Sequence, residues 1–136
     1  MMVVLYPGHP LAKKRAIALE DLKDEPLLLA TNPRGLDYDV AKVLSEASFT
    51  PRIEATSNLD HIIFSMVQHH LGISIEAALM LTDKENAAVL RPFDPPQSRR
   101  LVMAARSFRT LSPAANQFVS HTKAALRKME PDRILF

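Results

Sequence analysis

The chain has no cysteine, no tryptophan and only three glycines in 136 residues. Without cysteine there can be no disulfide, no thiolate metal site and no cysteine nucleophile, and a reducing cytoplasm is the compartment that fits. With glycine confined to Gly8, Gly35 and Gly72, no glycine-rich phosphate loop can be built. No Gly-x-Ser-x-Gly elbow occurs either. Long apolar runs are missing: "LLLA" and "LVMAA" are typical, and none exceeds the six residues of "MMVVLY". All fall far short of the ~20 residues that span a bilayer, so no membrane partner is expected. The opening "MMVVLYPGHP" reaches a proline early and lacks a basic leader, so it does not read as a secretory signal. Charge of one sign is lacking too. Seventeen basic residues against 15 acidic ones give +2, and the basic residues are scattered. No basic stripe with interleaved aromatics appears, so this stretch is not expected to grip nucleic acid directly.

What is present is a soluble-type composition, 47% hydrophobic, and length for one domain or slightly more. "MVVLY" (2–6) reads as a short strand stopped by "PGHP". "AIALEDLKDEP" offers a helical turn at most. "PLLLA" between a proline and "TNPRG" reads as a strand buried on both faces. Val40, Val43, Leu44 and Ala47 recur at helical spacing over 37–48, with acids at the front. "RIEA" (52–55) is a second short strand. A clear helix follows, capped by Ser57 or Asn58, with Leu59, Ile62, Ile63, Met66, Val67 and His70 as its apolar stripe. Gly72 stands where a left-handed stop is wanted. "ISI", "AVLRPF" and "RRLVMAAR" read as further strands, and "EAALMLTDKENA" as a short helix running into a loop. "LSPAANQFVSHTKAALRKM" is the best helix, capped by Ser112 with Pro113 in its first position. The alternation predicts α/β layers around a mostly parallel sheet.

The pair His69–His70 invites a metal reading, but adjacent helical residues diverge by about 100° and cannot clasp one ion. His61 lies about 12 Å further along the same axis. No metal-ligand spacing is present, so no metal or cofactor is expected. His70 reads as a core-edge histidine donating to a backbone carbonyl. Glu76 is a single carboxylate with no visible partner. No constellation of residues supports an enzyme. Two loops remain: "TNPRG" after the buried strand, and "TSNLD" before the helix. Both lie where ligands bind in α/β sheets, beyond the carboxyl ends of strands. Their hydroxyls and amides serve either as turn and helix caps or as a binding surface.

Several stretches together resemble the LysR-type transcriptional regulators. "HPLAKKRAIALEDLKDEPLLLA" looks like that family's crossing strand, Leu-x-x-Leu turn and first strand of the second regulatory subdomain. "FTPRIEATSNLDHIIFSMVQHHLGISI" is similar to that subdomain's strand, capped helix and Gly-hydrophobic strand. "RRLVMAARSFRTLSPAANQFVSHTKAAL" resembles the closing strand and Leu-Ser-Pro-Ala helix. The family usually has glycine where His70 stands and proline where Glu76 stands.

The resemblance implies a type-2 periplasmic-binding-protein-like α/β fold, with one complete subdomain plus the crossing strands and C-terminal helix of the other. Residues 1–9 would be a crossing strand, 10–95 the second subdomain, 96–130 the return strand and C-terminal helix, and 131–136 a tail. It implies no enzyme but an effector-sensing region, acting on DNA only through a helix-turn-helix absent from this chain. Thr31, Asn32, Arg34, Ser57 and Asn58 would hold a small, anionic metabolite. Residues 99–126 are expected to exchange with another copy, giving a homo-oligomer, or to fold back over the orphan edge. Two alternatives from other classes are a solute-binding lobe for transport and a ligand-free dimerisation module.

Overall fold

In the computed structural model, which describes residues 1–81, 87–99 and 101–128, the chain begins as strand β1 (Met2–Leu5). Its Val3, Val4 and Leu5 are fully buried. Burying three such side chains contributes about 1.5–3 kcal/mol each. The sequence after β1 supplies β2 (Leu27–Asn32), β3 (Gly35–Leu36), helix α1 (Tyr38–Ser45), β4 (Ile53–Ser57), helix α2 (Asp60–Gln68), β5 (Ser74–Glu76) and β6 (Val89–Pro92). Short 3-10 turns at Pro10–Lys13, Leu19–Leu22 and Ala78–Leu81 link them. Helix α3 (Pro113–Leu126) comes last. The chain divides into two compact units, Met1–Arg99 and Arg100–Phe136.

In the first unit β1 pairs antiparallel with β5 on one side and β6 on the other. β2 pairs parallel with β4 and antiparallel with the short β3. A parallel bridge between Leu27 and Ile73 joins the two groups. There the Leu28 N–H donates to the Ile73 carbonyl at 2.8 Å and the Ile73 N–H to the Pro26 carbonyl at 2.9 Å. The spatial order is therefore β4-β2-β5-β1-β6, with β1 alone reversed among these five. Strand alternation divides the core. Val3, Leu5, Leu27, Leu29, Ile73 and Ile75 pack with Val40, Val43 and Leu44 of α1. Val4 and Leu28 pack with Ile63 and Val67 of α2. The "LLL" run is apolar throughout because both faces are covered, as expected.

Three local readings need correction. The α2 stripe is turned: Ile63 and Val67 are buried, whereas Leu59 and Ile62 are 48% and 41% exposed and His70 is exposed. Gly72 is not the left-handed stop. His70 holds that conformation at φ 62°. Its N–H donates to the Val67 carbonyl at 2.9 Å and the Leu71 N–H to the Met66 carbonyl at 3.1 Å, which is the Schellman pattern. Among the described residues the His70 ring bonds to no backbone carbonyl. Its ring stacks on Tyr6 with centroids 4.1 Å apart, while the bond to a backbone carbonyl belongs to His69, 2.8 Å from the Ser65 oxygen. Gly72 is needed for a different reason. A Cβ there would lie 2.3 Å from the Pro26 carbonyl oxygen, at the bridge that joins β2 to β5.

The second unit holds the 3-10 turn Phe108–Thr110 and α3. The Ser112 hydroxyl accepts from the Ala115 N–H at 3.2 Å, and Pro113 starts the helix, as predicted. The strand predicted for "RRLVMAAR" is not formed: residues 101–105 carry no ladder, and Leu101 and Val102 are 68% and 75% exposed. A strand is stable only when its polar backbone is paired, and no partner strand is present in the described part of this unit. Met129 and the tail 131–136 lie outside the described residues, as does the end of the helix-and-loop predicted after Glu76. Among the described residues no helix is long and apolar enough to cross a membrane.

Urea unfolding separates the two residues at the α2 stop. Gly72→Ala is expected to cost about 1–3 kcal/mol, because the new methyl meets backbone rather than a side chain. His70→Gly is expected to stay within about 1 kcal/mol, trading left-handed strain against the Tyr6 stack. A harmless Gly72→Ala would contradict the close approach.

Candidate functional site

Because only β1 is reversed, the carboxyl ends of β2, β4, β5 and β6 gather at the edge where β1 begins. α2 directly follows β4, which ends at that edge, and α1 follows the short β2–β3 hairpin that turns back there. A cavity of about 220 Å³ opens there, lined by Met1, Ala30, Asp37, Val40, Asp60, Ile75, Glu76, Ala77, Met80 and Arg99. Every one of these residues belongs to the first unit. A smaller space beside it, about 10 Å³, borders Asp60, Ser74 and Glu76 and has room for a single water.

The polar wall is built by caps and strand ends. Asp37 is the N-cap of α1, and its Oδ1 accepts from the Asp39 N–H at 3.0 Å and the Val40 N–H at 3.5 Å. Its Oδ2 lies 4.0 Å from Arg99 Nη2. Arg99 Nε lies 3.0 Å from Asp39 Oδ2. Glu76 ends β5, and its Oε1 accepts from the buried Ser74 hydroxyl at 3.1 Å. The Met1 amino group is held below its ordinary value by burial, against the raising pull of Asp39. Among the described residues no group of three His, Cys, Asp or Glu could hold a metal ion.

The two loops singled out by sequence do meet. β2 and β4 run side by side with Ala30 opposite Ser57, so Thr31, near the end of β2, lies beside Asn58, just past the end of β4. Thr31 and Ser57 are half-buried, and Asn32, Arg34 and Asn58 are exposed. The "TNPRG" loop is tighter than expected. Thr31 and Asn32 pair with Leu36 and Gly35 in a hairpin, and Asn32 Oδ1 accepts from the Arg34 N–H at 2.9 Å. Neither Ser57 nor Asn58 caps α2. The N-cap is Leu59, whose side chain cannot accept, and Ser57 Oγ accepts from the Leu59 N–H at 3.1 Å. None of the five expected residues lines the cavity; their neighbours Ala30 and Asp60 do. Asp37, Glu76 and Arg99 were missed as site residues. The acids at the front of α1 were a signal for Asp37, whereas nothing local marked Arg99.

Comparison with known proteins agrees with this architecture. The family described as the LysR substrate binding domain matches residues 1–127. The HTH-type transcriptional regulator YwbI of Bacillus subtilis (strain 168) is 31% identical over 128 residues, 93% of this chain and 42% of that protein. This chain thus spans less than half the length of that curated relative. The regulatory domain of Synechocystis PCC6803 CcmR in complex with 2-PG superposes with a TM-score of 0.76 at 19% identity, covering 94% of this chain and 63% of that one. The effector binding domain of QuiR in complex with shikimate gives 0.70 at 21% identity, covering 95% and 62%. At such identities these two structures establish the type-2 periplasmic-binding-protein-like fold.

The cap geometry can be checked directly. Asp37→Ala is expected to lower unfolding stability by about 1 kcal/mol, and Asp37→Asn to retain most of it, since asparagine caps equally well. Equal losses in both variants by urea denaturation would contradict the capping role.

Proposed function

The chain belongs to the LysR substrate-binding domain family, and from that premise we propose that it is the effector-sensing part of a DNA-binding transcriptional regulator. The match over residues 1–127 carries this reading. A cavity at the carboxyl edge of a mostly parallel sheet supports it, because that is where such folds take ligands. The chain binds without catalysis, and works in the cytoplasm, where its target DNA lies. DNA contact belongs to a helix-turn-helix elsewhere in the parent protein.

The effector is a small, anionic metabolite. Thr31, Asn32, Ser57 and Asn58 present hydroxyls and amides beside the first turn of α2, whose backbone N–H groups have no side-chain cap. That end of a helix favours negative charge. Arg34 is the exposed cation of the same loop pair. Binding shifts the population between two states of the regulator, and the shift is limited by the difference in affinity for each. The exposure of Leu101, Val102, Phe108 and Phe118 supports self-association through residues 99–126.

A thermal-shift panel of anionic metabolites tests the reading. At least one is expected to raise the melting temperature of the chain. Thr31→Ala and Asn58→Ala should each weaken it about tenfold, the loss of one good hydrogen bond. Retention of full affinity in both variants would move the site away from these loops. Sedimentation equilibrium tests self-association. A monomer at every concentration would remove it.

A further inference from the structure

Among the described residues lining the cavity, Arg99 is the one cationic side chain. It is also the last residue of the first unit, so the chain leaves that unit through it. Its side chain is 38% exposed, and its nearest charged partner lies outside the cavity lining. Nε contacts Asp39 Oδ2 at 3.0 Å, and Asp39 is not a lining residue. The remaining charged side chains of the wall are Asp37, Asp60 and Glu76. While Arg99 stays on Asp39, an anion entering the cavity faces three carboxylates, a guanidinium already engaged and the Met1 amino group, which is bonded to the Gln97 carbonyl. Once Arg99 turns away from Asp39, its planar fork becomes available for a bidentate bond to a carboxylate or phosphate.

We propose that the Asp39–Arg99 pair sets the charge selectivity of this cavity, with Arg99 reading the anionic group of the effector and Asp39 holding it back as a positioning residue. This selectivity rests on the effector-sensing function proposed above, and it extends the effector site from the two loops to the cavity that Ala30 and Asp60 border beside them. Competition for Arg99 gives the ligand a hold on the exit segment. Residues 97–99 are tied to the unit by four polar links: Arg99 to Asp39, Arg99 to Asp37, the Gln97 amide to Glu46 at 3.2 Å, and the Met1 amino group to the Gln97 carbonyl. A ligand that draws Arg99 off Asp39 removes the first of these. The coupling is reciprocal, so loosening the tie by mutation must change ligand affinity.

Succinate and 1,4-diaminobutane, matched in length and opposite in charge, serve as probes in NMR titrations of the whole chain at fixed ionic strength. Asp39→Asn is expected to raise succinate affinity about threefold and to lower diamine affinity by a similar factor, the scale of a partly exposed ion pair. Arg99→Gln should lose succinate and gain the diamine. Asp39→Glu, which keeps the charge, should restore the native ratio. If Asp39 acts through Arg99, Asp39→Asn has no further effect in the Arg99→Gln background. Amide exchange at 97–99 should quicken in Asp39→Asn and in the native chain saturated with succinate. An unchanged selectivity ratio, or equal effects of Asp39→Asn with and without Arg99, overturns the proposal while shifts at Ala30, Ile75 and Ala77 still uphold the site. If neither probe moves those three amides in any variant, the site reading falls as well.

Discussion

One strand running against its neighbours decides the shape of the first unit. β1 is hydrogen-bonded along both edges, to β5 and to β6. It also places Val3 and Leu5 in the core beneath α1 and Val4 in the core beneath α2. Both apolar layers are thus anchored on three consecutive residues that water does not reach. Its neighbours across the sheet are distant in sequence, so their pairing pays loop-closure entropy that only this burial offsets. The Leu27–Ile73 bridge extends the sheet on the other side, and it tolerates nothing larger than hydrogen at Gly72.

The same reversal creates the functional edge. With β1 opposed to the rest, its beginning lies among the ends of the other strands. The entry of the chain at Met1 and its exit at Arg99 are then neighbours of one cavity. A ligand at this edge touches strand ends, two helix starts and the exit segment at once. The wall offers charges, helix caps and strand ends. What a ligand can do there is change which ion pairs are made.

Much of this was legible in the sequence because it is local. The "LLL" run between proline and turn residues marked a strand covered on both faces, and Ser112–Pro113 marked a helix start. The order of several loose motifs pointed to the family, whose match over residues 1–127 bears it out. What was not legible depends on distant partners. Gly72 looked like a helix stop; its real constraint is the Pro26 carbonyl, which no spacing rule reveals. His70 took the left-handed position usually given to glycine, on the strength of a stack with Tyr6. Ser57 looked like the cap of α2 but serves a turn one step earlier. Arg99 stood unmarked among scattered basic residues, and its ion pairs emerge only once Asp37 and Asp39 are brought beside it. The strand expected at 101–105 failed because apolar pattern alone does not supply a pairing edge.

Native-state hydrogen exchange of the β1 amides tests the central claim, that the first unit is organised around this reversed strand. Val3, Val4 and Leu5 are expected to exchange only through global unfolding, with the same free energy and denaturant dependence as Leu28 and Ile75. Exchange of the β1 amides by local opening, while Leu28 and Ile75 stay protected, would contradict it and show that the sheet holds without β1.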